Sequence, residues 1–271
     1  MGAVALMLSA CKKDKDGGAI GVLDPVQIQR ALVIENTGMW CGTCSVGAER
    51  IAETSHTYDI ALPVAVHYND ALANSTSLAF KANFPTSSYP NFYVNNQNAS
   101  QFPAGYVASI EGQMPMAGVG HEREDAGTKI NVKARVKFYN NDAGNYRIGV
   151  YFINGDVPAK DQYVQSDFAS TNNLEEIDNT SYWKRDAAQV ASGFLIKKGD
   201  VYLHTESIMA SADGLDTWGE QLPVSSVSAG DVYTLNFTLT KPQVIYPGYK
   251  VLTVIWKMED TKAMFINGYM K

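Results

Sequence analysis

The pattern of apolar and polar positions changes character once along the chain. Between residues 26 and 112 apolar positions come in short continuous runs and in three- and four-residue steps, whereas beyond about residue 121 they alternate with polar ones. Residues 31–35 form an apolar run suited to a buried strand, and Asn36, Thr37 and Gly38 break it. From Cys41 onward, Cys44, Ala48, Ile51, Ala52 and Ser55 recur at helical spacing, which predicts a helix reaching about Thr57 with one small-to-apolar face. Residues 61–68 read as a second buried strand, 73–83 as a second helix and 91–95 as a third strand. The Asn/Gln-rich stretch 96–105 reads as loop, so no fourth central strand is expected, and the Met/Pro/Gly-rich residues 112–120 read as a join.

After the join the period is two. Residues 129–138 alternate without a fault, 140–144 supply turn residues and 146–153 alternate again, which predicts a hairpin with one wet face. Further strand-like runs lie at 193–196, 201–209, 232–240, 250–257 and 264–267, and the polar stretch 156–186 reads as loops. The expected fold class is an α/β N-terminal domain over 26–112 followed by an all-β sandwich, Ig-like or jelly-roll-like, over 121–271.

Composition fits two folded domains, with 271 residues, 45% of them hydrophobic and 18% charged. A net charge of −6 without a basic run lacks the footprint of a nucleic-acid binder. Three cysteines are too few for a disulfide-built scaffold, and each has its own setting. Cys11 ends the apolar run 1–10 and precedes the charged residues 12–16. This arrangement resembles a bacterial lipoprotein signal with Leu8, Ser9, Ala10 and Cys11 as its lipobox. The resemblance implies cleavage before Cys11, a diacylglycerol on its sulfur and a tether over 12–25. Lys12 in place of an aspartate then implies the outer membrane, on its periplasmic face or at the cell surface. No apolar stretch of 18 or more residues follows to span a bilayer.

Cys41 and Cys44 carry the most chemistry. They sit in Trp40-Cys41-Gly42-Thr43-Cys44, on the turn from the first strand into the first helix. A thiolate there faces unsatisfied N–H groups and the positive end of the helix dipole, which makes Cys41 the candidate nucleophile and Cys44 the resolving thiol. Glu35, if buried beneath the pair, can take the proton that Cys44 loses. Two other uses stay open. A disulfide across so short a loop is a weak staple, worth about 2 kcal/mol against about 4.7 for a 100-residue loop. A structural zinc needs four ligands, and only the scattered His56 and His67 could join the two thiols. Neither a metal nor a cofactor is expected. His121 and His204 are isolated, while Tyr182, Trp183, Trp218, Tyr246 and Tyr249 either line a ligand groove or pack the sheets.

The dithiol position resembles that of thioredoxins. Trp40 directly precedes the first cysteine, Glu35 lies six residues before it, and Pro90 opens the third strand as the thioredoxin cis-proline does, whereas Pro85 is followed by no strand. Residues 30–49, with 64–70, are similar to the thioredoxin-like lipoproteins of the Bacteroidetes twenty-eight-kilodalton outer-membrane protein family. Thr43 stands where thioredoxins have proline and Ser45 where that family commonly has one. The resemblance implies catalytic roles for Cys41, Cys44, Glu35, Pro90 and Trp40 in disulfide exchange with envelope or surface proteins. The alternative is a non-catalytic surface adhesion or scaffold lipoprotein that keeps a vestigial pair.

Overall fold

Residues Ala31–Thr37 form strand β1, and all seven are buried. A strand buried on both faces needs a layer on each. Ala31 and Val33 point to one side, where they meet Ile51 and Val107, while Leu32 and Ile34 point to the other, where they meet Phe80, Tyr151 and Trp256. In the computed structural model, residues 24–159, 162, 168–169, 194–196 and 203–271 are described. Cys11 and the lipobox, the tether through residue 23, Tyr182, Trp183, and most of the polar stretch 156–186 lie outside the described residues, as do positions 193 and 201–202.

β1 pairs in parallel with β2 (Ala61–His67) and antiparallel with β3 (Asn91–Val94), which in turn pairs with β4 (Gln97–Ser100). The sheet order is β2-β1-β3-β4. Helices α1 (Cys44–Thr57) and α3 (Pro103–Ile110) place Ile51 and Val107 against one face, and α2 (Ser75–Asn83) places Phe80 against the other. The stretch 96–105 is therefore not loop. Asn95 adopts a φ of 53°, which an asparagine tolerates, so the chain reverses in two residues and β4 follows directly. Asn95 Oδ1 also accepts from Leu32 N at 2.9 Å, tying the turn to β1. Pro103 then opens α3 at a position where its missing N–H is no loss.

The rest of the described chain is β. One sheet is antiparallel, with β6 (Lys129–Phe138) between β5 (Ala117–Ala126) and β9 (Val232–Thr240). A second has the order β8-β7-β10-β11, from β7 (Asn145–Ile153), β8 (Ile208–Ser211), β10 (Lys250–Glu259) and β11 (Lys262–Met270). The expected hairpin between 129–138 and 146–153 does not form, because β6 and β7 belong to different sheets. β6 instead pairs with β5 around Gly127, whose φ of 64° suits the turn, so residues 117–120 of the expected join are strand. The reason lies in β7, where Ile148, Val150 and Phe152 face the first sheet's apolar side while Tyr151 and Ile153 face β1 and β2. Neither face of β7 is wet, and only a central strand fits that pattern.

The second sheet thus packs on two partners, and the two halves of the chain share one apolar layer. Polar side chains finish the junction. Asn83 and Asn96 each make two bonds to the backbone of β11, to Ala263 (2.8 and 2.9 Å) and to Phe265 (2.7 and 3.1 Å). These amides satisfy peptide groups along a sheet edge that no further strand covers among the described residues. On the other side, Ser207 bridges to Ala65 on the edge strand β2, with Ala65 N donating to Glu206 O at 2.8 Å. The chain is mostly β, in several sheets with few helices, and among the described residues no helix is long and apolar enough to cross a membrane.

The Phe80 ring sits 5.1, 5.3 and 5.8 Å from those of Tyr151, Trp218 and Trp256. Phe80→Ala should lower stability by about 3–5 kcal/mol. Because the layer is shared, far-UV circular dichroism and tryptophan fluorescence should report one common urea transition, displaced together in the variant. Separate midpoints would show that the halves unfold independently.

Candidate functional site

β1 ends at Thr37, and six residues carry the chain to the start of α1. That connection is tightly folded. Cys41 N donates to Gly38 O at 3.0 Å, and Cys44 N to Cys41 O at 3.1 Å. The helix begins at Cys44 rather than Cys41, since this turn occupies 41–43, and Cys44 is its first residue instead of lying a turn inside. Cys41 and Cys44 form a disulfide with a Cα separation of 5.4 Å. Cys41 is 7% exposed and Cys44 1%.

Glu35 is fully buried under the start of α1. Burial raises its carboxyl from 4.5 to about 8, a hydrogen bond with Thr37 offsetting part of the rise, and Oε1 has no hydrogen-bond partner among the described residues. Gly47, one turn below Cys44, explains how the carboxyl fits. A methyl group there would collide with Glu35 Oε1 and come within 2.7 Å of Pro90 Cβ. Glu35, Pro90 and the dithiol helix therefore meet at one residue without a side chain. The Tyr89–Pro90 peptide is cis. Thr43 closes the ring, its hydroxyl donating to Tyr89 O at 3.3 Å and lying 3.5 Å from Cys41 Sγ. Ser45 is buried and donates to Gly42 O at 3.1 Å, so this residue ties down the Cys–Cys turn.

Trp40 lies outside this nucleus, 45% exposed. Its indole N–H donates to Tyr68 O at 2.8 Å, and the ring turns back so closely over Gly38 that a Cβ there would lie 2.6 Å from Nε1.

Asp70 is the residue that periodicity missed. Its side chain is 4% exposed, and Oδ2 takes both His67 Nδ1 at 2.8 Å and Met39 N at 2.9 Å. Oδ1 accepts from Leu72 N and Ala73 N. These bonds hold Asp70 below the usual carboxylate range against the opposing effect of burial. The carboxylate thus clasps the backbone two residues before Cys41 to the loop after β2. His204 of the second half packs on His67 with ring centroids 5.4 Å apart. The signal in the sequence was an aspartate three residues after a strand histidine, a pairing that only the fold makes meaningful.

The remaining candidates disperse. His56 sits in the last turn of α1, and among the described residues no three His, Cys, Asp or Glu side chains gather as metal ligands. His121 is buried, its Nδ1 2.9 Å from Thr253 Oγ1, and burial beside Arg123 and Lys271 lowers it to about 4. Trp218 packs on Phe80 and Trp256, and Tyr249 stacks on Phe152, so these aromatics fill the sheet layers.

No family model matches the chain, and no curated protein matches it. Among solved structures it is similar to HBP35 of Porphyromonas gingivalis, at 17% identity and a TM-score of 0.66, over 92% of this chain and 76% of that one. The likeness covers both halves, so the arrangement of sheets is one that a Bacteroidetes protein also uses.

The burial of Glu35 has a consequence for stability. Between pH 4.5 and about 8 the unfolded chain has lost this proton while the folded chain keeps it. Folding then requires proton uptake, and stability falls as pH rises through that window by about 1 kcal/mol per unit. Urea midpoints of the oxidised protein at pH 5, 6, 7 and 8 should decline more steeply in the wild type than in Glu35→Gln. Parallel slopes would mean that Glu35 ionises in the folded state as freely as in the unfolded one.

Proposed function

We propose that this protein is a thioredoxin-like thiol–disulfide exchange lipoprotein of the kind found in the Bacteroidetes twenty-eight-kilodalton outer-membrane protein family. In this reading an α/β dithiol domain over 26–112 carries a β-sandwich over 121–271. A lipid on Cys11 holds it at the outer membrane, and its substrates are envelope or surface proteins, in a compartment where disulfides persist. The observation that carries the reading is the meeting of the Cys41–Cys44 disulfide, the buried Glu35 carboxyl and Pro90 at the start of α1.

The chemistry follows from these groups. In the reduced protein, the N–H groups at the start of α1 favour a Cys41 thiolate, which attacks one sulfur of a partner's disulfide. A Cys41–partner disulfide forms, and the partner's other sulfur leaves as a thiolate that takes a proton from water. Cys44 then loses its proton to the Glu35 carboxylate and attacks Cys41 Sγ, and the partner's second sulfur leaves as a thiolate. Two electrons pass to the partner, and the Cys41–Cys44 disulfide is restored. A carboxyl near 8 holds both protonation states at neutral pH, as an acceptor that must later give the proton back requires. The reverse sequence oxidises a partner's dithiol. Asp70 and Thr43 are positioning residues, fixing the loop on either side of Cys41.

The scaffold alternative draws on the low exposure of Cys41, and a rate measurement separates the two. The protein should accelerate dithiothreitol-driven reduction of insulin disulfides. Cys41→Ser should abolish the acceleration, Cys44→Ser should accumulate a mixed disulfide through Cys41, and Glu35→Gln should slow release without slowing the first attack. A wild type no faster than dithiothreitol alone leaves the scaffold reading standing.

The anchor is checked separately. Intact mass of the membrane fraction should show loss of residues 1–10 and gain of acyl chains, and Cys11→Ala should move the protein to the soluble fraction. Equal membrane retention of that variant would refute the anchor.

A further inference from the structure

The first described residues, Asp24, Pro25 and Val26, lie on the outer face of the sheet of β5, β6 and β9, the face turned away from the apolar core. Asp24 pairs with Arg135 on β6 at 3.0 Å, and Pro25 O accepts from the Tyr139 hydroxyl at 3.0 Å. At Gly118 on β5, a Cβ would lie 2.8 Å from Val26 O and 3.1 Å from Pro25 Cβ. The chain between Cys11 and the fold therefore arrives on this face. Thirteen Cα steps separate Cys11 from Asp24, which span about 47 Å at full extension. A compact chain of 271 residues has a radius of gyration of about 18 Å, so its far side lies roughly 75 Å away along the surface. A bilayer that holds Cys11 is within reach of the outer sheet face and out of reach of the opposite side.

The face also carries the charge that a bilayer surface attracts. The outward positions of the middle strand, β6, hold Lys129, Lys133, Arg135 and Lys137. Glu122 and Glu124 stand at one margin, on β5, and the outward positions of β9 are uncharged. Four bases thus meet two acids here, on a chain whose net charge is −6. Lys129 reaches Asp213 at 3.4 Å, while Lys133 and Lys137 are exposed and make no ion pair among the described residues. Where the entering chain leaves the face, Val26 and Ile28 are 58% and 41% exposed. Cations beside exposed apolar side chains suit the boundary between phosphates and acyl chains.

We propose that the outer face of β5, β6 and β9 rests on the anionic lipid headgroups of the membrane that holds Cys11, with Lys129, Lys133 and Lys137 against the phosphates and Val26 and Ile28 at the headgroup boundary. This rests on the anchor in the reading above and gives it an orientation. The apolar clusters stack in order from β6 through β10 and β1 to α1, so α1 and the disulfide lie at the opposite end and face away from the bilayer. A partner protein then reaches the dithiol without displacing lipid.

The test uses the processed chain from Cys11 onward, coupled through the Cys11 thiol to a maleimide lipid in vesicles while Cys41 and Cys44 are held in their disulfide. Acetylation of each lysine is followed by mass spectrometry. On vesicles of about one-third phosphatidylglycerol in phosphatidylcholine, Lys133 and Lys137 should react about fivefold more slowly than on phosphatidylcholine alone. The exposed Lys262, in the turn between β10 and β11, should react equally on both. Salt at about 0.5 M should remove the difference. Lys133→Gln combined with Lys137→Gln should return Lys129 to its rate on neutral vesicles. Equal rates of Lys133 and Lys137 on the two vesicles overturn the docking face and leave the anchor standing, as does protection of Lys262 in their place. Absence of acyl chains from Cys11 in cells overturns the anchor and the orientation with it, whatever the vesicles show.

Discussion

Two-sided burial of β1 is the constraint on which the remaining structure depends. Its Leu32 and Ile34 need an apolar cover that the N-terminal residues supply only in part, through Phe80 and Phe84 at the end of α2. The second sheet supplies the remainder with Tyr151, Leu252, Val254, Trp256 and Phe265. The same sheet must bury its other face, and β5, β6 and β9 exist to cover it. A four-layer stack follows from one strand that cannot be wetted on either side. The stack also fixes the C-terminal end of β1, from which Glu35 and the loop to Cys41 depart.

Where apolar cover stops, side-chain amides take over. Asn83, Asn95, Asn96 and Asn267 each bond backbone groups of another element, with Asn267 Nδ2 donating to both Ile28 O and Ala117 O. An amide offers a donor and an acceptor together, so it can stand in for a neighbouring strand at an edge. Asn83 and Asn96 do so on β11, where they take up the outward N–H and C=O groups of Ala263 and Phe265.

This division explains what could be read from the sequence. Local patterns were legible: the strand-turn-helix around Cys41, the strand after Pro90, and the alternating runs of β6 and β9 each depend on near neighbours. Asn96 and Gln97 misled for the opposite reason. Their polarity records an edge and a tight turn, which composition alone cannot distinguish from loop. The hairpin expected between β6 and β7 failed because alternation reports that a strand has two faces, not which sheet receives them. At the site, Cys41, Cys44, Glu35 and Pro90 are marked by type and spacing, whereas the Asp70 clasp joins segments that only the folded sheet brings together.

The cost of Glu35 is something the proposed exchange chemistry would account for and a structural staple would not. A disulfide across so short a loop stabilises the chain little, and a carboxyl enclosed beneath it works in the opposite direction at neutral pH. If the region served only to hold the fold, a residue of similar size without a charge to hide would be more stable, and Gly47 could carry a side chain. Instead Gly47 stays bare beside the Glu35 carboxyl and the ring of Pro90. The apolar layer around β1 is what makes this tolerable, because it holds the strand in place whether or not Glu35 keeps its proton. Strongly perturbed carboxyls of this kind concentrate where protons are moved. Stability drawn from the junction between the two halves thereby offsets the cost of the buried acid beside the disulfide.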